Sequence, residues 1–458
     1  MFISVLGAGL YGKCKYVDKD FSSQNTFFVQ TATLEYLNVK QWSKGDVGLF
    51  LLTDYAKRSN WDKTITQRRN NVIQQDIVYK GLEKDIEELN LPIKIVPIPI
   101  PDGNSETEIW EIFTKTFSKL ENGDELYFDV THAFRFLPML ILVLCNYAKF
   151  LKKITVKSIT YGNYEARNKA IDPNEAPIIN LLPLTKLQDW TYAAGTYLDS
   201  GNVNKLVEMS GTNYADFAEK LKKTIADFHT CRGISIIESS NIKQIKTLMD
   251  SMDTSDLPPL KFVFDEIKAD FNKYDDILNV KNGYESAKWC YKNQLYQQAI
   301  TILVETVISD ICIHENLEWK MRANRDAASN SLFICSDNKL VNNEKGWSIF
   351  KREDKDKYQK DYLELKNKEE KTAEEIELME KFDEEKKFKP KFLKDLLLYR
   401  QFVASRRVRE LVELSTMIKD VRDDIDHAGM RDGARSFAEI ENKLNEIFTK
   451  LNTITPCS

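Results

Sequence analysis

The sequence changes character once, near residue 184, and that change decides the architecture. Before it, residues 2–6, 26–31, 47–53, 93–97, 125–130 and 158–161 are short β-branched or aromatic runs bounded by turn residues, the pattern of strands. Residues 64–89, 106–120 and 138–152 lie between them and read as helices. Such alternation predicts a Rossmann-like α/β domain with a mostly parallel sheet, whose ligands bind beyond the carboxyl ends of the strands. After residue 184 the strand signals nearly vanish. Residues 187–198, 202–209, 214–230, 242–252, 260–274, 284–290, 295–315, 392–409, 410–427 and 435–451 read as helices. An all-α region is therefore expected after the sheet domain. The expected boundaries are 1–184, a helical connecting region 185–278, and a second helical domain 279–458 with a charged insertion at about 340–391. Within residues 351–390, 12 basic and 14 acidic side chains predict an exposed, salt-bridged hairpin or insertion.

Composition narrows the class. At 42% hydrophobic over 458 residues, the chain is not disordered. Its longest apolar run, residues 137–145, is too short for a membrane span. Residues 1–10 open directly as a strand, without a signal-peptide pattern. Seven cysteines with no C-x-x-C pair fit a reducing compartment. A cytoplasmic protein without a membrane partner is expected. Four histidines and no acidic trio offer no metal site.

Gly7-Ala8-Gly9-Leu10-Tyr11-Gly12 has the G-x-G-x-x-G spacing directly after the first strand. The dinucleotide fingerprint needs a helix to begin at that turn. Residues 13–20 carry no helical apolar stripe, so a loop or hairpin is expected instead of a nicotinamide or flavin site. Gly9 still permits close backbone approach to a ligand, and Lys13 adds a positive charge. The richest segment is Asp129-Val130-Thr131-His132-Ala133-Phe134-Arg135-Phe136-Leu137-Pro138. It sets a carboxylate, hydroxyl, imidazole and guanidinium between an apolar strand and an apolar helix. Arg135 suits bidentate pairing with a phosphate, or equally a local pair with Asp129. Thr53-Asp54 and Tyr161-Gly162-Asn163 end neighbouring strands with similar material.

On the Asp129–Pro138 loop, the glycine turn at Gly7–Tyr11 and the closing Asn180–Leu184 segment, the first domain resembles the CRISPR-associated Rossmann fold, or CARF domain. The likeness covers roughly the first 190 residues and departs at Ala133, where the family usually carries glycine. It implies that paired domains bind a cyclic oligoadenylate made by type III CRISPR complexes, with cyclic tetra-adenylate the family-weighted ring size. Gly9, Lys13, Thr53, Asp54, Asp129, Thr131, His132, Arg135, Tyr161 and Asn163 are the expected contacts.

Near the other end, Arg422-Asp423-Asp424-Ile425-Asp426-His427 fits R-x(4–6)-H and resembles the motif of HEPN ribonucleases. By itself so short a motif has low specificity. Seven of the 16 arginines fall between Arg400 and Arg435, a local basic field in a chain of net charge −5. On a regular helix, positions five apart sit about 140° around the axis and about 7.5 Å along it. One Arg422–His427 pair thus converges poorly, and the HEPN likeness implies a composite site across a dimer. Asp423 stands where many HEPN proteins carry asparagine. The likeness implies metal-independent cleavage of single-stranded RNA, with Arg422 and His427 catalytic and Arg431 and Arg435 on the RNA backbone. No cofactor is expected besides the activator, and a homodimer or a multiple of dimers is. Three other readings stay open: a non-catalytic sensor whose helices dock a partner, a CARF domain that cuts its own ligand, and, more distantly, a nicotinamide oxidoreductase.

Overall fold

The computed structural model describes residues 1–9, 11–62, 65–69, 72–132, 136–336, 367–373, 376, 401–426, 430 and 433–454. They form two compact units, Met1–Asp189 and Trp190–Ser458.

The strands of the first unit are β1 Phe2–Leu6, β2 Lys15–Asp18, β3 Phe21–Ser22, β4 Val47–Leu52, β5 Ile65–Arg69, β6 Val72–Tyr79, β7 Lys94–Pro99, β8 Glu125–Asp129, β9 Thr155–Gly162 and β10 Glu175–Asn180. Its helices are α1 Val29–Tyr36, α2 Asp54–Ala56, α3 Leu82–Glu88, α4 Glu106–Ser118 and α5 Leu137–Lys152, and α6 Leu182–Ser200 crosses the boundary at Asp189. One sheet runs in the order β3-β2-β10-β9-β8-β1-β4-β7, with β9, β8, β1, β4 and β7 mutually parallel. Period-2 alternation builds both layers. Ile3 and Val5 pack with Ile112 of α4 and Ile141 of α5, whereas Phe2 and Leu6 pack with Leu34 of α1 and Ile86 of α3. From β1 the chain moves outward through β4 to β7, then returns to β8 on the other side. The switch point therefore lies between β1 and β8, where an open α/β sheet forms its crevice.

Two expectations are corrected. Residues 26–31 do not make a strand, because α1 begins at Val29. Val29 through Leu34 are all buried, so the helix has no polar face to betray its period, and burial overrides the β-branched residues. Residues 64–89 do not make one helix: β5 and β6 pair as an antiparallel hairpin and only α3 is helical. Ile65, Thr66, Val72, Ile73, Ile77 and Val78 carry the β preference that the helical reading passed over. After the glycine turn the chain enters β2 and β3, which form the hairpin expected there.

The second unit is helical: α7 Asn204–Ser210, α8 Ala215–His229, α9 Gly233–Glu238, α10 Ser240–Asp250, α11 Leu260–Phe271, α12 Val280–Lys292, α13 Tyr296–His314, α14 Arg322–Ser336, α15 Arg406–Asp426 and α16 Phe437–Ile454. One core runs from Trp190 to Leu451. α9 and α14 were not anticipated. The helix expected over 392–409 breaks at Ser405, whose hydroxyl caps α15 by accepting from Val408 N at 3.4 Å. The expected insertion at 340–391 lies almost wholly outside the described residues.

A buried ion pair joins three helices of this unit. Arg407 donates through Nε and Nη2 to both oxygens of Asp310, the shortest at 2.6 Å, and Tyr284 Oη donates to Asp310 at 2.5 Å. Arg407 Nη1 also reaches Glu410 at 3.1 Å. Arg407→Ala leaves the Asp310 carboxylate buried without its cation, and such a loss costs about 3–5 kcal/mol. Urea unfolding followed by far-UV circular dichroism should show a midpoint lowered accordingly; an unchanged midpoint would mean the pair contributes nothing.

Candidate functional site

The register of the central strands dictates what meets at the crevice. Ser4 lies opposite Asp129, and Asp129 opposite Thr160. Asp129 is completely buried. Ser4 Oγ donates to its Oδ2 at 2.8 Å, while Thr131 donates to Oδ1 through its hydroxyl at 2.6 Å and its backbone N–H at 3.2 Å. The same Thr131 hydroxyl accepts from Gly162 N at 2.8 Å. One carboxylate and one hydroxyl thus tie β1, β8 and β9 at their carboxyl ends. Burial pushes the Asp129 carboxyl above its usual range, against the lowering pull of its three hydrogen bonds.

The glycine turn forms the facing wall. Leu6 pairs in register with Leu52, so the turn after β1 lies beside the one after β4. Thr53 caps α2 by accepting from Ala56 N at 3.1 Å. Past α2, Asn60 Nδ2 donates to the carbonyls of Gly7 and Gly9 at 2.8 and 2.9 Å. A methyl group on Gly7 would come within 3.2 Å of the His132 carbonyl, whereas Gly9 is exposed and open. The His132 ring lies 4.1 Å from that of Tyr11, centroid to centroid. Its Nε2 is buried and has no hydrogen-bond partner among the described residues. Burial pushes the imidazole down to about 4, so it is neutral near pH 7.

The remaining expected contacts line the same edge. Asp54 and Lys13 are exposed, Lys13 lying over the Phe27 ring at 5.0 Å. Tyr161, near the end of β9, and Asn163, just beyond it, are half-buried, and Asn163 accepts from Ala166 N at 3.3 Å. Arg135 lies outside the described residues. Asp129 itself has both carboxylate oxygens taken by the protein, so it supports the crevice through Ser4 and Thr131. Ser4, Tyr11 and Asn60 were missed by sequence reasoning. Only Tyr11 carried a signal, inside the glycine turn.

In the helical unit, Arg422 is half-exposed on α15 and its Nε donates to Asp426 at 3.1 Å. His427 and Arg431 lie outside the described residues. Arg435 donates to the Asp420 carboxylate at 2.7 Å and, through its backbone N–H, to the buried Asp424 at 3.0 Å. That guanidinium fastens the segment before α16 onto α15. Among the described residues no cluster of His, Cys, Asp or Glu is placed to hold a metal ion, and no helix is long and apolar enough to cross a membrane.

Removing the Asp129 carboxylate strands the Ser4 hydroxyl and the Thr131 N–H, so Asp129→Ala should cost about 2–4 kcal/mol, against about 1 for Ser4→Ala. Thermal unfolding ranks the two, and equal effects would deny Asp129 its central place. His132 yields a pH dependence. Its folded pKa lies below the ordinary 6.5, so the unfolded chain binds the extra proton, and stability falls as pH drops from about 6.5 to about 4. The change is at most about 3 kcal/mol. His132→Gln should flatten the pH profile of Tm over that window relative to wild type.

Residues 1–165 match the family model described as the CARF domain of the CRISPR system endoribonuclease Csx1. Over 246 residues, 52% of this chain, the sequence is 26% identical to CRISPR-associated protein MJ1674 of Methanocaldococcus jannaschii. The alignment spans 37% of that relative's length. The chain is thus similar to CARF-containing, CRISPR-associated proteins, and the residues that match the CARF model fall in the α/β unit.

Proposed function

We propose that the chain is an endoribonuclease of type III CRISPR defence, switched on when a cyclic oligoadenylate binds the switch-point crevice. The observation that carries the ligand reading is the buried Nε2 of His132 without a described protein partner, beside an open Gly9 and the Thr131–Asp129 brace. A buried polar atom without a partner is costly, and a ligand acceptor or donor satisfies it. A neutral imidazole suits hydrogen bonding to a base or ribose edge, while Lys13 and Arg135 supply charge for the phosphates. Cyclic tetra-adenylate is the ring size we favour.

The cutting site is assigned to Arg422 and His427. Cleavage without a metal uses the adjacent 2′-hydroxyl of single-stranded RNA as the nucleophile, and needs alignment and charge stabilisation at the phosphate. A permanently charged, planar guanidinium fits the phosphate role, and an imidazole moves the proton near neutral pH. Arg422 is exposed enough to meet a substrate once Asp426 yields. Arg431, and Arg435 where it is free of Asp420, are the backbone contacts. Two copies of the pair, one from each subunit, complete the site. Activation follows if the ligand binds the cutting-competent arrangement of the dimer better than the resting one.

The experiment is an RNA cleavage assay with and without cyclic tetra- and hexa-adenylate, in EDTA. Activity should rise with one ring and persist in chelator. Arg422→Ala and His427→Ala should each lower the rate by at least 100-fold without changing ligand binding. Full activity in both variants would overturn the ribonuclease assignment; ligand binding with no cleavage at all would favour a non-catalytic sensor.

A further inference from the structure

RNA that reaches Arg422 has to be held against an acidic stretch of α15. From Lys419 to Asp426 its last two turns carry two basic and four acidic side chains. A segment of that balance does not grip a polyanion through its phosphates alone, so a contact to the bases is needed. Beside this segment, α14 buries Ala327, Ala328 and Leu332 and turns Asp326, Ser329, Phe333 and Ser336 outward. Phe333 is the only aromatic residue of α14, and it is 39% exposed. The Lys419 ammonium lies over its ring, 4.7 Å from the centroid, and among the described residues it makes no ion pair. Lys419 and Arg422 are three positions apart on one helix, with about 5–6 Å between their Cβ atoms. The ring, the ammonium and the half-exposed guanidinium of Arg422 thus follow one another along the surface.

We propose that Phe333 is a stacking platform for one base of a single-stranded RNA, with Lys419 on the phosphate beside that base, so that a neighbouring phosphate is seated at Arg422. For the identity of its ligand the inference rests on the ribonuclease reading above. Every base offers a π-face, so such a ring holds RNA without net positive charge and with little sequence preference. A base arriving on the ring displaces the ammonium. The contact given up, an exposed cation–π pair, is weaker than the stack gained. The four-carbon stem of Lys419 is flexible enough to follow the adjoining phosphate. A second copy of the chain fits this strip less well, because docking it would bury an ammonium that has no carboxylate to meet it.

The test uses the full chain with His427→Ala, so that RNA stays uncut, in the presence and absence of cyclic tetra-adenylate. Fluorescence anisotropy compares a labelled uridine chain of about ten nucleotides with an abasic ribose-phosphate chain of the same length. Phe333→Ala should weaken binding of the uridine chain about fivefold or more and that of the abasic chain by less than about twofold, and Phe333→Trp should keep the uridine affinity. Lys419→Gln should weaken both chains. A loss that Phe333→Ala imposes equally on both chains marks a structural role, and a loss accompanied by dissociation in sedimentation velocity marks docking of a second copy. Either result overturns the platform, as does failure of both chains to bind. Wild-type cleavage, read beside these affinities, separates the two claims. The uridine preference without cleavage removes the ribonuclease reading and leaves the platform; cleavage without a Phe333-dependent preference removes the platform alone.

Discussion

Everything at the functional edge of the first unit depends on one buried carboxylate. Asp129 has no solvent, and it is tolerated there because Ser4 and Thr131 direct three donors at it. The arrangement is possible only in the observed register, with Ser4 opposite Asp129 on adjacent parallel strands. A shift of one residue would turn Ser4 to the other face. Through Thr131 the same group reaches Gly162 on the next strand. Three strand ends are therefore fixed together where the loops leave the sheet, and the loops inherit that rigidity. A site on such a base loses little entropy when a ligand arrives.

The helical unit uses the same device differently. Asp310 is also a buried carboxylate, but its partner is a guanidinium and its donors come from α12 and α15. Asp270 accepts from Tyr197 and Trp289, each at 2.9 Å. Both carboxylates draw distant helices to one point, which apolar packing alone does with less geometric selectivity. Arg435 on Asp420 and Asp424 does so again beside the proposed cutting helix. The basic field around α15 is thus partly taken up within the protein, and Arg422, paired among the described residues with its i+4 neighbour Asp426, is the more available charge.

The strands of the parallel sheet were legible because each is a short β-branched run between turn residues, and the missing helix after Gly12 was legible for the same reason. α1 was not, because a helix buried on every side shows no period. The β5–β6 hairpin was not, because its charged residues imitate a helix surface. Along the crevice edge, Gly9, Thr53, Thr131, His132 and Asn163 could be placed from strand ends alone. Ser4 and Asn60 could not. Their roles arise from neighbours 125 and 53 residues away in sequence, a relation that no local pattern contains.

The order of elements determined by itself that a parallel sheet would come first and helices after it, since hydrophobic period and turn chemistry are local properties of the chain. Local pattern also identified which strand ends carry polar side chains. Only the tertiary structure decided which of those groups lie open at the crevice and which serve the fold. Asp129 and Thr131 are two residues apart and equally polar, yet one is sealed beneath the sheet edge and the other bridges it. Burial and hydrogen-bond pairing belong to the packed state, where strand register sets them.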